Sequence, residues 1–258
     1  MRHIFYCSDA RRTSKFVPTG IVDCVVTSPP YYNLRDYGIK GQIGLETSID
    51  AYIKNLVKVF RDIFNLLKPE GTLWLNLGDT YAANRTYQVK DHKAIDGCLF
   101  THGSKIPEGL KPKDLIGIPW RVALALQADG WYLRMDIIWE KPDPMPERVT
   151  DRPTKCHEYL FLFSKSKNYY YNRGGLYHRS VWKIPTSKFK GAHFATFPPD
   201  LAKRCIRAGC PRGGLVLDPF GGSGTVTSVA EDLNRNSIYI DLNPESIKLA
   251  KGRLLQHL

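Results

Sequence analysis

The sequence predicts an α/β fold: a single domain of 258 residues built on a mostly parallel sheet of seven strands. Three observations carry this. Short apolar runs alternate with stretches of helical period along the chain. Near the carboxy terminus an apolar run opens, through closely spaced glycines, into a helix. No internal repeat or low-complexity tract interrupts the alternation.

The elements follow in order. "HIFYC" (3 to 7) and "DCVVT" (23 to 27) are compact β-branched and aromatic strands. The second runs straight into Ser28, Pro29, Pro30, Tyr31 and Tyr32. Residues 48 to 67 place Ile49, Tyr52, Ile53, Leu56, Phe60, Ile63, Phe64 and Leu67 at helical spacing, and the helix stops at "KPEG". "TLWLNL" (72 to 77) is the next strand. From Tyr81 to Lys113 no period survives, and the glycines and prolines there predict a long loop. "GIPWRVALALQADG" (117 to 130) is a helix with Pro119 in its first turn and Gly130 beyond its end. "MDIIWE" (135 to 140), "YLFLFS" (159 to 164), "GLVLD" (214 to 218) and "SIYIDL" (237 to 242) complete the strands. "PPDLAKRCIRAG" (198 to 209), "GTVTSVAEDL" (224 to 233) and "NPESIKLAKGRLL" (243 to 255) complete the helices, the last capped by Asn243.

Charge narrows the function. A net +12 favours a polyanionic partner such as nucleic acid or an acidic membrane surface. From Tyr159 to Pro199 there is no Asp or Glu, while Lys165, Lys167, Arg173, Arg179, Lys183, Lys188 and Lys190 fall there among Tyr169, Tyr170, Tyr171, Tyr177 and Trp182. A merely solvated face would mix in carboxylates, so this stretch is read as a nucleic-acid contact. The cysteines Cys7, Cys24, Cys98, Cys156, Cys205 and Cys210 form no C-x-x-C pair, so neither a metal site nor a disulfide framework is expected. No apolar run nears the roughly 18 residues of a membrane span, and "MRHIFYC" lacks a signal peptide's regions, which predicts a cytoplasmic protein.

"LVLDPFGGSGTV" (215 to 226) ends a strand on Asp218 and opens through Gly221, Gly222 and Gly224 into a helix whose free N–H groups can meet a ligand. A glycine-rich turn alone often only reverses the chain. Here, however, the next strand ends in Asp241, about 20 residues on, where a carboxylate can bind the hydroxyls of a ribose. Asp218 would repel a pyrophosphate but welcome an α-amino group, and no Gly-Lys-Ser/Thr marks a triphosphate loop. Both groups belong to S-adenosylmethionine, whose adenine or sulfonium Phe220 could face.

In "SPPYY" each proline fixes its own φ and biases the residue before it to extended backbone. The result is a rigid array in which Ser28 Oγ and the Pro29 carbonyl can accept from an exocyclic amino group, freeing its lone pair for attack. Tyr31 would stack on a base flipped out of a duplex. A proline-terminated strand with two surface aromatics is the bland alternative. Tyr32 and "NLRDYG" (33 to 38) are read either as a lid over the base or as a contact to DNA.

With these motifs in hand, the chain resembles the amino-methylating DNA methyltransferases of the β arrangement, in which the catalytic loop precedes the cofactor loop. "TSPPYY" (27 to 32) comes before "DPFGGSGT" (218 to 225), "HFATFPPDL" (193 to 201) resembles the additional cofactor segment, and "WEKPDPMPE" with "DRPTKCHEYLFLFSK" matches in character. The resemblance implies a three-layer, Rossmann-like, circularly permuted S-adenosylmethionine-dependent fold. It implies that Asp218, Phe220, Gly222, Ser223, Gly224 and Thr225 line the methionine end, Asp241 the ribose, and Thr196 and Phe197 the opposite wall. Ser28, Pro29, Pro30 and Tyr31 would hold the base. Serine at the first loop position is associated in this family chiefly with cytosine N4, and aspartate with adenine N6.

Residues 165 to 192 leave little room for a target-recognition region, so a short site is expected, read by "NRGGLYHRS" (172 to 180) and the 81 to 113 loop, with a homodimer as a candidate aid. Arg173, His178, Arg179, Lys183, Lys188 and Lys190 are the expected DNA contacts. The alternatives are N6-adenine methylation, an RNA or protein amide target, and a non-catalytic DNA-binding subunit. In protein glutamine methyltransferases the Pro-Pro-Tyr loop follows the glycine loop, the reverse of the order here.

Overall fold

β1 (His3–Cys7) and β11 (Asn236–Asp241), from opposite ends of the chain, lie side by side and parallel, with Cys7 level with Asp241. Next comes β10 (Leu215–Asp218), and then β2 (Val22–Thr27), again parallel, with Leu217 level with Val25. This is the permutation expected from the motif order: strands from the end of the chain sit beside the strand that leads into Ser28. The computed structural model describes residues 1–82, 85–89, 100–104, 106–144, 146–147, 149–174, 179–187 and 197–255.

Beyond β2 the sheet continues through β4 (Leu67–Leu77), β8 (His157–Ser164) and β7 (Tyr132–Glu140), with β8 antiparallel to both neighbours. All seven expected strands are present. An eighth, β9 (Val181–Lys183), runs parallel to β7 at the edge. Three residues are too few to show a period. The segment expected as a loop from 81 to 113 carries two further strands, β5 (Arg85–Val89) and β6 (Phe100–Ser104), which join the two-residue β3 (Arg35–Asp36) in a small second sheet.

Alternating side chains divide the core into two layers. On one face Val25, Leu73, Leu75, Phe161 and Phe163 pack with α1 (Ile49–Leu66) and α2 (Ile118–Ala128). On the other Cys24, Val26, Trp74, Leu160 and Leu162 pack with α3 (Pro199–Gly209) and α4 (Thr225–Asp232). A sheet buried on both faces explains why its central strands read as nearly continuous apolar runs. Ser48 caps α1 by accepting from Ala51 N at 3.1 Å. α5 (Pro244–Leu255) packs Ile247 and Ala250 near Tyr239.

Among the described residues, no helix is long and apolar enough to cross a membrane. None of them forms a group of three or more His, Cys, Asp or Glu placed to hold a metal ion.

Candidate active site

The parallel strands all end at the same side of the sheet, where open α/β folds bind ligands. A cleft of about 370 Å³ lies there, lined by Ser28, Pro29, Pro30 and Tyr31 after β2, by Asp218, Phe220, Gly222 and Ser223 after β10, and by Asp241 after β11. Thr27 Oγ1 donates to Asp218 Oδ1 at 2.7 Å, binding the two loops together.

The glycine loop owes its shape to close approaches. A Cβ at Gly221 would lie 2.1 Å from the Tyr239 ring, so only glycine lets the chain cross there. Tyr239 in turn donates its hydroxyl to the Gly222 carbonyl at 2.7 Å. Asp241 holds the loop from the side: Oδ2 accepts from Gly222 N at 2.8 Å and Oδ1 from Asn243 N at 2.7 Å. Gly224 faces α5, since a Cβ there would come 2.6 Å from Ala250 Cβ, and its φ of +77° suits glycine. Thr225 Oγ1 accepts from Arg253 Nη1 at 2.9 Å and pairs with Ser223 Oγ at 3.2 Å.

Asp218 is 5% exposed. Burial pushes its pKa up to about 7, against the pull of the Thr27 hydroxyl and Phe220 N–H and with help from the nearby Asp241 charge. A buried carboxylate so disposed is stabilised by a cation placed against it. The α-amino group of S-adenosylmethionine is such a cation, and the open space at Gly222, where a Cβ would meet nothing nearer than the Phe220 carbonyl at 3.9 Å, leaves room for its backbone-like end. The residues present therefore fit this cofactor, with Asp218, Gly222 and Asp241 as the groups that would hold it.

In the other loop, Ser28 Oγ donates to the Tyr31 hydroxyl at 3.2 Å, and Tyr31 donates to Glu158 Oε2 at 2.6 Å. The Tyr31 ring lies on the Gly78 backbone, where a Cβ would meet it at 2.5 Å. The Pro30 carbonyl accepts from Tyr52 at 2.9 Å, which pins the proline pair to α1. Burial pushes the Tyr31 phenol well up, and the Glu158 carboxylate pushes it further. Burial also pushes Glu158 up, but Lys141 and the bonds from Tyr31 and Asn76 outweigh it and leave the carboxyl below its ordinary range.

Of the remaining expected site residues, Phe197 lines the cleft, whereas Thr196 lies outside the described residues. Arg173, Arg179 and Lys183 are exposed on the surface and are absent from the cleft lining, and Lys183 stands 3.6 Å from Glu140. His178, Lys188 and Lys190 lie outside the described residues. Trp182, read among the basic residues as a DNA-facing aromatic, is 3% exposed and stacks on Trp74 at 6.2 Å. Tyr32 is neither lid nor DNA contact: it is 1% exposed and packs on Tyr52 at 5.4 Å. Leu34, Arg35, Asp36 and Tyr37 do line the cleft.

Several cleft residues carry little local signature in the sequence: Asp9, Asn76, Trp139, Lys141 and Glu158. The available signal was a polar residue at the end of an apolar strand, as in Asn76 of "TLWLNL" and Glu158 before "YLFLFS".

Fold and cleft together define a methyltransferase of the S-adenosylmethionine-dependent class. The DNA methylase family model matches residues 22–252. The type II methyltransferase M.SmaI of Serratia marcescens is 52% identical over 96% of this chain and 89% of its own length. The type II methyltransferase M.XycI of Xanthomonas campestris pv. cyanopsidis is 51% identical over 95% and 85%. A DNA modification methylase of Thermus thermophilus, solved with S-adenosyl-L-methionine, superposes with a TM-score of 0.71 at 25% identity, covering 98% of this chain and 93% of that one. The cytosine-N4-specific PvuII DNA methyltransferase shares the fold with a TM-score of 0.75 at 21% identity, covering 98% and 86%. The chain belongs to the DNA methylase family whose members methylate exocyclic amino groups, N4 of cytosine or N6 of adenine.

Proposed function

We propose that this chain is a site-specific DNA methyltransferase that methylates N4 of a cytosine flipped out of the duplex, as the modification enzyme of a type II system. The observation that carries the reading is the Thr27–Asp218 bond, which sets the Ser28–Tyr31 loop against the glycine loop in one cleft. When bound, the cofactor supplies an electrophilic methyl on a sulfonium. Asp218 receives its amino group, Asp241 its ribose hydroxyls, and Phe220 and Phe197 form its walls. Ser28 Oγ and the Pro29 carbonyl accept from the two N–H bonds of the amino group and free its lone pair, while Tyr31 flanks the ring. The nitrogen would accept the methyl as the methyl–sulfur bond breaks and its electrons stay on sulfur, and it would shed one amino proton to solvent.

Serine at the head of the loop supports cytosine over adenine, as does the cytosine specificity named for the PvuII enzyme of the same fold. The exposed Arg173, Arg179 and Lys183 would meet phosphates, and residues 172 to 180 with the 81 to 113 segment would read a short site. The test is direct: label DNA with radioactive S-adenosylmethionine, digest to nucleosides and identify the product by mass spectrometry. N4-methylcytosine supports the reading, N6-methyladenine replaces the base, and unlabelled DNA overturns it. Sequencing the labelled DNA gives the site.

A further inference from the structure

Behind Ser28 stands a chain of hydrogen bonds that ends on a largely buried ion pair. Ser28 donates to Tyr31 at 3.2 Å, Tyr31 to Glu158 Oε2 at 2.6 Å, and Lys141 Nζ to Glu158 Oε1 at 2.5 Å. Asn76 braces it: Nδ2 donates to Glu158 Oε2 and to the Tyr159 carbonyl, both at 3.1 Å, and Oδ1 faces the Tyr31 hydroxyl at 3.1 Å. The side chains of Lys141 and Glu158 are 20% and 14% exposed.

Each link has one polarity. An ammonium only donates and an ionised carboxylate only accepts. Asn76 Nδ2 has acceptors on both its protons, which fixes its oxygen toward Tyr31. The phenol proton therefore goes to Glu158 or to Asn76 Oδ1, and the phenol oxygen is left to accept from Ser28. With its single proton so engaged, Ser28 Oγ turns only lone pairs to the cleft.

We propose that Glu158, held by Lys141 and Asn76, is a positioning residue that fixes Ser28 as a pure acceptor, so that the cleft admits a base bearing an exocyclic amino group and rejects one bearing a carbonyl there. This rests on the reading of the cleft as the site of base amino-methylation. Cytosine offers N–H donors at that position and uracil an oxygen, and two facing oxygens with no proton between them lose a hydrogen bond and repel. A Lys141–Glu158 pair that merely stapled β7 to β8 would weaken both bases alike.

The test compares duplexes bearing cytosine or uracil at the methylated position, bound to the full chain with the unreactive product S-adenosylhomocysteine. In Glu158→Gln, Lys141 can donate only to the amide oxygen, so the amide NH2 turns to Tyr31 and Asn76. Asn76 Nδ2 loses its acceptor there, its amide turns over, and the phenol proton is left with Ser28 as its acceptor, so the chain of donors reverses. The cytosine-to-uracil affinity ratio is expected to fall roughly ten- to hundredfold relative to the unaltered protein. The easier opening of a G·U pair is common to all variants and cancels in this comparison. Tyr31→Phe keeps the ring, leaves the Ser28 proton without its acceptor, and should compress the ratio similarly, so the inference remains testable if Glu158→Gln does not fold. An unchanged ratio, or equal losses for both duplexes, overturns the inference and leaves the function standing. If the methylated base is adenine, the cytosine reading falls and the ratio is read with adenine and hypoxanthine. Unmethylated DNA sinks both.

Discussion

Thr27 and Asp218, 191 positions apart in the chain, are joined by a 2.7 Å hydrogen bond between buried side chains. The strand that leads into the Ser28–Tyr31 loop and the strand that ends at the glycine loop thus share one anchor. Thr27→Val keeps the shape of the side chain but removes the donor. It should cost about 1 kcal/mol of stability and weaken cofactor binding, because an ionised Asp218 loses a favourable partner. Chemical denaturation and cofactor titration measure the two effects separately.

With the cofactor's ammonium against it as proposed, Asp218 should give binding a pH dependence. Its folded pKa stands raised from 3.8 to about 7. A raised carboxyl adds stability below its unfolded value and withdraws it as pH climbs toward 7, so the ligand-free protein should weaken over that range from this group. The cofactor's ammonium favours the ionised form, so binding expels the proton and should tighten by up to about tenfold per pH unit approaching 7. Calorimetry in two buffers of different ionisation enthalpy should register proton release. Asp218→Asn should bind weakly and show neither release nor slope.

Ser28→Ala and Asp241→Ala should separate chemistry from cofactor binding. The first is expected to lower methyl transfer by about 10²-fold or more with little change in cofactor affinity, since the role proposed for Ser28 is to accept from the reacting nitrogen. The second removes the acceptor for Gly222 and Asn243 N–H and should weaken cofactor binding by at least about tenfold. Equal losses of cofactor affinity in both would refute the division of roles.

Gly221 and Tyr239 predict a contrast in stability. Gly221→Ala places a methyl where the Tyr239 ring stands, 2.1 Å away, and should cost about 1–3 kcal/mol or more. Tyr239→Phe removes only the bond to the Gly222 carbonyl and should cost about 1 kcal/mol. Urea denaturation of the two variants checks the order.

DNA affinity should fall steeply with salt if the exposed basic residues meet phosphates. Arg173→Ala and Arg179→Ala should each reduce the slope of log K against log salt by about 1 and weaken all sequences alike. A change of methylated sequence without a change of slope would assign these residues to base reading instead.

Legibility in the sequence followed physical rules. Asp218 and Asp241 stand out because each is a carboxylate closing an apolar strand, and Ser28–Tyr31 because two prolines cannot continue one. Glu158 shows no such break. A charge beside His157 at a strand start is ordinary, and its partners reach it only through strand pairing, Tyr31 through β2, β4 and β8 and Lys141 through β7 and β8. Trp182 misleads for the opposite reason: its neighbours Val181 and Lys183 point outward, so a buried ring sits in a basic, solvent-facing string. The β5–β6 hairpin has too mixed a composition, with glycine inside its second strand, to announce a strand period.

The adjacency of β2 and β10 also has a history in time. At a synthesis rate of about 5–20 residues per second, roughly 10–40 seconds separate the making of Thr27 from that of Asp218. Once β4 has been made, β2 can pair with it but shows an apolar, unpaired edge on its other side for the rest of that interval. A nascent chain in this state has the Ser28–Tyr31 side of the cleft but not the glycine-loop side. Newly made molecules are thus unable to mark DNA, and most exposed to sticking to one another, until β10 slides in beside β2.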